Sequence, residues 1–332
     1  MRTPGYALAM LGIGAILCAL VAVSNFVTDP LDRLGLTGDE RVLKPWIVTH
    51  VPHEGIIIGS SKTDYANPDD VSGIKLVNAS FSAALPEEIR AFVERYVRPG
   101  QIVLLGVDPF MFNEQQHPRA SGTIVGPGDM PSLTVLLDRA KYVFSFDVLQ
   151  TALERLLSNS GKGSSPYLAN GARYVPFEMP GGDWRGNFNR ILQNLRRGNY
   201  DDFVYSESRV RDLAALKAFA EKHDICLKAF INPLHEAEAD LLAGLPAQSA
   251  FLRFRADMHR VFPEIVDFTV LPYSASALYF RDDPFHYLPS TGAQIIRYVL
   301  TRPSTSPPCV TWKHWIATDG SGHNSSTAGI KR

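Results

Sequence analysis

The sequence has few cysteines, almost no net charge and no internal repeat, and these absences exclude several classes of protein. Only three cysteines occur among 332 residues, and their spacing is not that of zinc ligands. The 33 basic and 34 acidic side chains give a net charge of −1, so no basic face for nucleic acid is expected. The sequence also lacks a glycine-rich phosphate loop with its lysine and serine or threonine. We therefore expect no nucleic-acid partner, no metal and no cofactor in this globular chain.

The three cysteines are expected to carry little information. Cys18 lies in an apolar amino-terminal run, Cys226 in a strand predicted to be buried, and Cys309 in a polar carboxyl-terminal segment. Cys226 and Cys309 can pair only in an oxidising compartment. The burial predicted for Cys226 argues against that pairing.

The amino-terminal segment has no charged side chain between residues 3 and 28. Roughly 20 apolar residues suffice to span the hydrocarbon layer of a bilayer. Arg2 precedes the run and Asp29 follows it, a charge order that predicts an outward-facing main domain. We expect residues 1–28 to form a single-pass anchor in the cytoplasmic membrane, with the rest of the chain periplasmic. A cleaved signal peptide is the alternative, because residues 22–24 (Ala-Val-Ser) resemble a cleavage site.

The rest of the chain alternates short apolar runs with helical patterns. Strands buried on both faces are predicted at residues 55–59, 74–78, 101–106, 225–231 and 264–270. Helices are predicted at residues 86–97, 208–223 and 290–300, with further helical sequence before residue 262. This alternation predicts an α/β fold of three layers, αβα, around a mainly parallel five-stranded sheet.

Three segments depart from this alternation. Residues 29–54 are interpreted as a juxtamembrane connector, and residues 302–332, rich in Ser, Thr, Gly and Pro, as a disordered tail. Residues 109–205 interrupt the α/β domain at 55–301 and include a predicted helix at 132–157. We interpret them as an insertion that serves as a lid or specificity region.

Polar side chains follow every predicted strand. In open parallel sheets, ligands bind beyond the carboxyl ends of the strands. The residues at these ends are Ser60, Ser61 and Lys62; Asn78, Ala79 and Ser80; Asp108; Asn232; and the pair Asp283 and His286. The sequence therefore predicts one site at this edge of the sheet.

The residue types at this edge suit nucleophilic catalysis. Gly59 permits a sharp turn that exposes the Ser61 hydroxyl, which needs a base to take its proton. His286 is predicted to be that base, and Asp283, three residues earlier, to orient the imidazole. Ser60 is the alternative nucleophile. In the competing interpretation, Asp283 only caps a turn or helix and His286 packs under the neighbouring tyrosine.

The chain resembles the SGNH, or GDSL-type, hydrolase superfamily, particularly its membrane-tethered branch that modifies cell-surface polysaccharides and teichoic acids. The resemblance covers about residues 29–300 and depends on Asp29-Pro30, Gly59-Ser60-Ser61, residues 78–82 (Asn-Ala-Ser-Phe-Ser) and Asp283-x-x-His286. It implies a flavodoxin-like fold and a catalytic triad of Ser61, Asp283 and His286. The implied activity is an acyl-ester hydrolase or O-acyltransferase acting on a cell-envelope glycan. A membrane-bound acyltransferase is an implied partner.

The sequence departs from this family at the third motif, where Asp108 replaces an asparagine that helps to bind the oxyanion. A carboxylate there would repel the developing charge. Asp108 is then expected to orient a substrate hydroxyl or to support the fold; otherwise the protein is a degenerate scaffold that binds a glycan or a partner protein. Asn78 and the backbone N–H groups of Ser61 and Ala79 are the expected oxyanion donors.

Three of the residues at this edge are also interpreted as contacts to substrate. Lys62 is expected to attract an anionic substrate, and Asn232 to line the pocket beside Asp108. The alternatives are a solvated lysine at position 62, and turn residues at Asn232 and Asn78.

Overall fold

The computed structural model describes residues 40–117, 167–174 and 183–310, together with Ala19 and Leu20. The predicted anchor at residues 1–28 falls outside this part apart from those two residues, as do the predicted helix at 132–157 and residues 311–332. Among the described residues, no helix combines the length and the apolar character needed to span a membrane.

Five strands form one sheet in which every pair of neighbours is parallel. The strands are β1 (Gly55–Ile58), β2 (Leu76–Asn78), β3 (Ile102–Val107), β4 (Cys226–Ile231) and β5 (Val266–Asp267), in the spatial order β2-β1-β3-β4-β5. The predicted α/β fold with a five-stranded parallel sheet is confirmed. The fifth strand is shorter than predicted, because the Asp267 side chain accepts a hydrogen bond from Thr269 N–H and starts a 3-10 turn.

Nine helices of the described residues are numbered in chain order. They are α1 (Glu40–His50), α2 (Ser61–Asp64), α3 (Pro86–Tyr96), α4 (Trp184–Leu195), α5 (Glu207–Lys222), α6 (Glu236–Ala243), α7 (Ala247–Val261), α8 (Pro289–Thr301) and α9 (Pro307–Val310). A π-helical turn, Arg196–Tyr200, extends α4, and 3-10 turns occupy Pro68–Asp70, Pro109–Phe112, Phe268–Val270 and Ser276–Leu278.

The sheet has an apolar core on each face because successive strand residues point in opposite directions. In β3, Val103 and Leu105 face a core shared with α1, α3, α5 and α7, whereas Leu104 faces a core shared with α8. Each such buried aliphatic side chain contributes about 1.5–3 kcal/mol relative to exposure. Because the strands are parallel, their carboxyl ends lie at one edge of the sheet, and the site lies at that edge.

Helix α1 was missed in the segment interpreted as a connector. Its apolar residues Leu43 and Ile47 are buried in the core, but Arg41 and Lys44 are buried as well. Arg41 Nε donates to Glu88 Oε1 on α3 at 2.7 Å. The segment resembled a connector because Pro45 lies inside the helix and buried cations interrupt its apolar face.

The start of the predicted tail is also ordered by a covalent link. Cys226 at the start of β4 forms a disulfide with Cys309 in α9, with Cα atoms 4.6 Å apart. The expectation that these cysteines do not pair was wrong, as was the expectation of disorder for residues 302–310. Burial of Cys226 does not prevent the bond, because Cys309 is itself buried against the same face of the sheet.

Candidate active site

The structure brings together the three residues that the sequence assigns to a triad. His286 Nε2 lies 2.9 Å from Ser61 Oγ, although the two residues are 225 positions apart. His286 Nδ1 lies 2.6 Å from Asp283 Oδ2. Ser61 is the first residue of α2 at the carboxyl end of β1, and the other two lie on the loop before α8. The hydroxyl, imidazole and carboxylate thus form one hydrogen-bonded series.

Asp283 both caps its own turn and holds the imidazole. Its Oδ1 accepts from the N–H groups of Phe285 at 2.8 Å and His286 at 3.2 Å, which leaves Oδ2 for the ring. Burial on its own raises the pKa of Asp283, but the His286 ring and the two backbone N–H groups outweigh it and lower the pKa below its ordinary value. The capping and catalytic interpretations of Asp283 are therefore compatible.

The triad is partly exposed and has aromatic rings beside it. The side chains of Asp283 and His286 are each 19% exposed, so a small group can reach the imidazole. Tyr65, four residues after Ser61, places its ring 5.0 Å from the His286 ring, and Phe280 packs on the same tyrosine at 5.2 Å. These rings fix one side of the imidazole.

The turn that carries the nucleophile is anchored by its other side chains. Ser61 is the only residue of α2 that is not fully buried. Lys62 Nζ donates to Glu238 Oε2 at 2.8 Å, and Thr63 Oγ1 accepts from Asn232 Nδ2 at 3.2 Å. These contacts tie the turn to Asn232 at the end of β4 and to Glu238 on α6. Ser61 remains as the partly exposed residue of the turn.

Asp64 fixes the far end of α2 through two cations. Its Oδ1 accepts from Lys44 Nζ on α1 at 2.5 Å, and its Oδ2 accepts from Arg173 Nε at 2.9 Å. Lys44 Nζ also donates to the Gly171 carbonyl at 2.5 Å. Burial raises the pKa of Asp64, and the two cations oppose that rise. Helix α1 and residues 167–174 are thereby attached directly to the nucleophile turn.

Lys62, Asp108 and Asn232 do not have the substrate contacts expected of them. All three side chains are fully buried. Asn232 Nδ2 donates to Asp108 Oδ2 at 3.1 Å, and Lys62 is not solvated. The sequence places them at the correct edge of the sheet. They lie beneath the site because their polar groups pair with one another there.

The two residues expected as oxyanion donors beside Ser61 are also committed elsewhere. Asn78 Nδ2 donates to the carbonyls of Thr63, Asp64 and Ala66, and Asn78 Oδ1 accepts from Ser80 N–H. The N–H of Ala79 donates to Ile57 O at 2.7 Å as part of the sheet. Neither fits the role predicted for it. The N–H of Ser61, the first of α2, has no acceptor within its helix.

Ser60 is not available as the alternative nucleophile. It is fully buried, its Oγ donates to Asp108 Oδ2 at 2.5 Å, and it accepts from the N–H of Lys62 at 3.1 Å. Ser60 therefore supports the turn that carries Ser61.

Comparison with known proteins does not identify the chain. No protein-family model matches it, and no curated protein matches it. A serine hydroxyl, an imidazole and a carboxylate within hydrogen-bond reach, in that order, are what nucleophilic acyl transfer requires.

Several residues that support the site were missed from sequence. Lys44, Arg173, Glu238 and Tyr65 are charged or aromatic side chains without a motif around them. Only Tyr65 carried a signal, since four-residue spacing from Ser61 places both on one side of a helical turn. The others reach the site from distant parts of the chain.

Proposed function

We propose that the protein is a serine-dependent acyl-ester hydrolase or O-acyltransferase of the SGNH type, acting on a cell-envelope glycan. The observation that carries the proposal is the continuous series from Ser61 Oγ through the His286 ring to Asp283. The parallel sheet and the burial of Ser60 beneath Ser61 support the same assignment.

Ser61 Oγ attacks the carbonyl carbon of the ester while His286 Nε2 takes its proton. Asp283 holds the Nδ1–H and stabilises the imidazolium that forms. His286 then gives the proton to the departing alkoxide, and the acyl group remains on Ser61. Water or a sugar hydroxyl, deprotonated by the same imidazole, attacks the acyl-enzyme and regenerates the serine.

The oxyanion of this reaction is stabilised by the Ser61 N–H, which belongs to the same residue as the attacking oxygen. One such donor typically contributes about 3–4 kcal/mol to the barrier. Asn78 and Ala79 do not contribute, since their N–H groups are bonded within the domain.

Features outside the triad support a periplasmic protein. The disulfide between Cys226 and Cys309 suits an oxidising compartment, in keeping with an anchor at residues 1–28. Helix α4 of the insertion lies beside the triad loop, because Asn187 Nδ2 donates to Asp282 Oδ2 at 2.7 Å. Trp184 at the start of α4 is partly exposed, and the guanidinium groups of Arg185 and Arg281 lie 4.6 and 4.5 Å from the centre of its ring. A membrane-bound acyltransferase would supply or share the acyl group.

A catalytically degenerate scaffold that binds a glycan or a partner protein is the second candidate. It is favoured by one observation: of the three donors expected from sequence, Asn78 and Ala79 are committed, and only the Ser61 N–H remains. The two candidates differ in whether an ester is turned over.

Turnover of a small acetyl ester by the purified full-length protein tests the proposal. We expect Ser61→Ala and His286→Ala each to lower kcat/KM by at least about 10³-fold. Ser72→Ala, an exposed serine outside the site, is the matched control and should retain full activity. Turnover that survives Ser61→Ala would refute the serine mechanism, and a wild-type protein that binds glycan without turnover would favour the scaffold.

A further inference from the structure

A group of three ionisable side chains is sealed beneath Ser61. Lys62, Asp108 and Glu238 are all fully buried. Lys62 Nζ lies 2.8 Å from Glu238 Oε2 and 3.9 Å from Asp108 Oδ1. One cation thus faces two carboxyl groups. If both were ionised, an uncompensated negative charge would remain in the interior, which costs several kcal/mol.

Apart from Lys62, no lysine or arginine among the described residues is paired with Asp108 or Glu238. The remaining titratable side chains that interact with Asp108 and its partners are tyrosines and histidines: Tyr200, Tyr279, Tyr287, His235 and His286. Burial raises the pKa of all three tyrosines, so they stay neutral. Burial also lowers the pKa of His235, so it too stays neutral, while the His286 ring already serves Asp283.

The hydrogen bonds indicate which carboxyl group is ionised. Both oxygens of Glu238 are satisfied, Oε2 by the Lys62 ammonium and Oε1 by the Tyr200 hydroxyl at 2.7 Å. In Asp108, Oδ2 accepts from Ser60 Oγ and Asn232 Nδ2, whereas Oδ1 accepts no hydrogen bond from any described residue. Burial raises the pKa of both groups, and Asp108 Oδ1, 3.9 Å from Lys62 Nζ, is the one carboxyl oxygen of the two groups that accepts no hydrogen bond from a described residue.

We propose that Asp108 is a positioning residue that works as a neutral carboxylic acid, with its proton on Oδ1. In this form Oδ2 still accepts the hydrogen bond from Ser60, the residue before the nucleophile, and so holds the nucleophile turn. The Asp108 side chain then places no negative charge against the residue next to Ser61, where the oxyanion forms. Lys62 and Glu238 form a separate neutral ion pair. A neutral acid has the shape and polarity of the asparagine that the resemblance would place here. The catalytic part of this inference depends on the proposed hydrolase activity; the protonation state does not.

The conservative substitution Asp108→Asn tests the neutral state. It exchanges one neutral group for another of the same shape, so we expect kcat within about threefold of wild type and an unchanged unfolding midpoint. Asp108→Ala removes the contact to Ser60 and should lower kcat at least tenfold with little change in KM. Ser60→Ala removes the same contact from the other side, so the double variant should be no worse than either single variant. A loss of more than 100-fold in a folded Asp108→Asn protein would overturn the proposal.

Infrared spectroscopy gives a second result that needs no turnover. Wild-type protein at neutral pH should show a protonated-carboxyl band that shifts on carbon-13 labelling of aspartate and is absent in Asp108→Asn. Ser60→Ala should move this band, because it removes a hydrogen bond to the acid. If Asp108→Asn does not fold, the labelled wild type and Ser60→Ala still decide the matter. If the wild type lacks this band, the inference about Asp108 is overturned even if the esterase is active. The band in an inactive protein would refute only the hydrolase proposal.

Discussion

The disulfide between Cys226 and Cys309 should be a main source of stability in the carboxyl-terminal part of the domain. The bond closes a segment of 83 residues that contains β5, the triad loop and α8. In the chain-entropy treatment, a loop of this length stabilises the folded state by about 4.5 kcal/mol at 25 °C. Removal of a native disulfide usually costs about 2–5 kcal/mol. We therefore expect Cys309→Ala to lower the free energy of unfolding by about that amount.

Urea unfolding of the purified protein, with and without a reducing agent, measures this effect. Reduction should destabilise the wild type as much as Cys309→Ala does and should leave Cys309→Ala unchanged. Cys309→Ala is preferred to a change at Cys226, because residue 226 lies within strand β4. Thiol titration of the denatured, unreduced protein should detect Cys18 but neither Cys226 nor Cys309. Reactive thiols at Cys226 and Cys309, or a variant as stable as wild type, would refute the reasoning.

Three further predictions concern charged residues. Asp283→Asn should lower ester turnover by about 10³–10⁴-fold through loss of the imidazole's partner, whereas Asp282→Asn should stay within about threefold; equal losses would contradict the assignment. Lys44→Met should cost about 3–5 kcal/mol in urea unfolding because it removes one of the two cations paired with the buried Asp64 carboxylate and leaves only Arg173, and a cost under 1 kcal/mol would contradict that. Burial alone would raise the pKa of Asp267, but the hydrogen bonds to its carboxylate lower that pKa overall. The ionised Asp267 therefore stabilises the fold above the pKa that the group has in the unfolded chain, and this stabilisation is lost as the pH falls through the pKa of the folded state. Asp267→Asn should therefore be less stable than wild type at pH 7 and converge with it in acid, and a pH-independent difference would contradict this.

The sheet could be predicted because its strands have a simple signature. Residues 56–58 are three consecutive isoleucines, all fully buried, and β3 is a continuous apolar run. Such runs mark strands covered on both faces. The exception is β5, which ends because the Asp267 side chain starts a 3-10 turn and not because the apolar run ends.

The proximity of Ser61, Asp283 and His286 could be predicted because parallel strands deliver their ends to one edge. The turn at Gly59 and the three-residue spacing of Asp283 and His286 were the local signals that accompanied this rule. It could not tell which strand-end residues are partly exposed at the site and which lie beneath it. Lys62 and Asp108 are buried because each finds a partner there, and partner choice depends on side-chain packing that sequence spacing does not contain.

The ion pairs that hold the nucleophile turn could not be predicted. Lys62 and Glu238 are 176 positions apart, and Arg173 lies 109 positions from Asp64. Pairs at such separations leave no periodicity in one sequence. For the same reason α1, whose buried face carries Lys44, resembled a polar connector.

Covalent labelling of the nucleophile tests the central claim most directly. The purified protein would be treated with a fluorophosphonate, digested, and the modified peptide sequenced by mass spectrometry. The triad geometry predicts one adduct, on Ser61, that is absent after Ser61→Ala and greatly slowed after His286→Ala. An adduct on another residue, or labelling that persists at the same rate in both variants, would contradict the account.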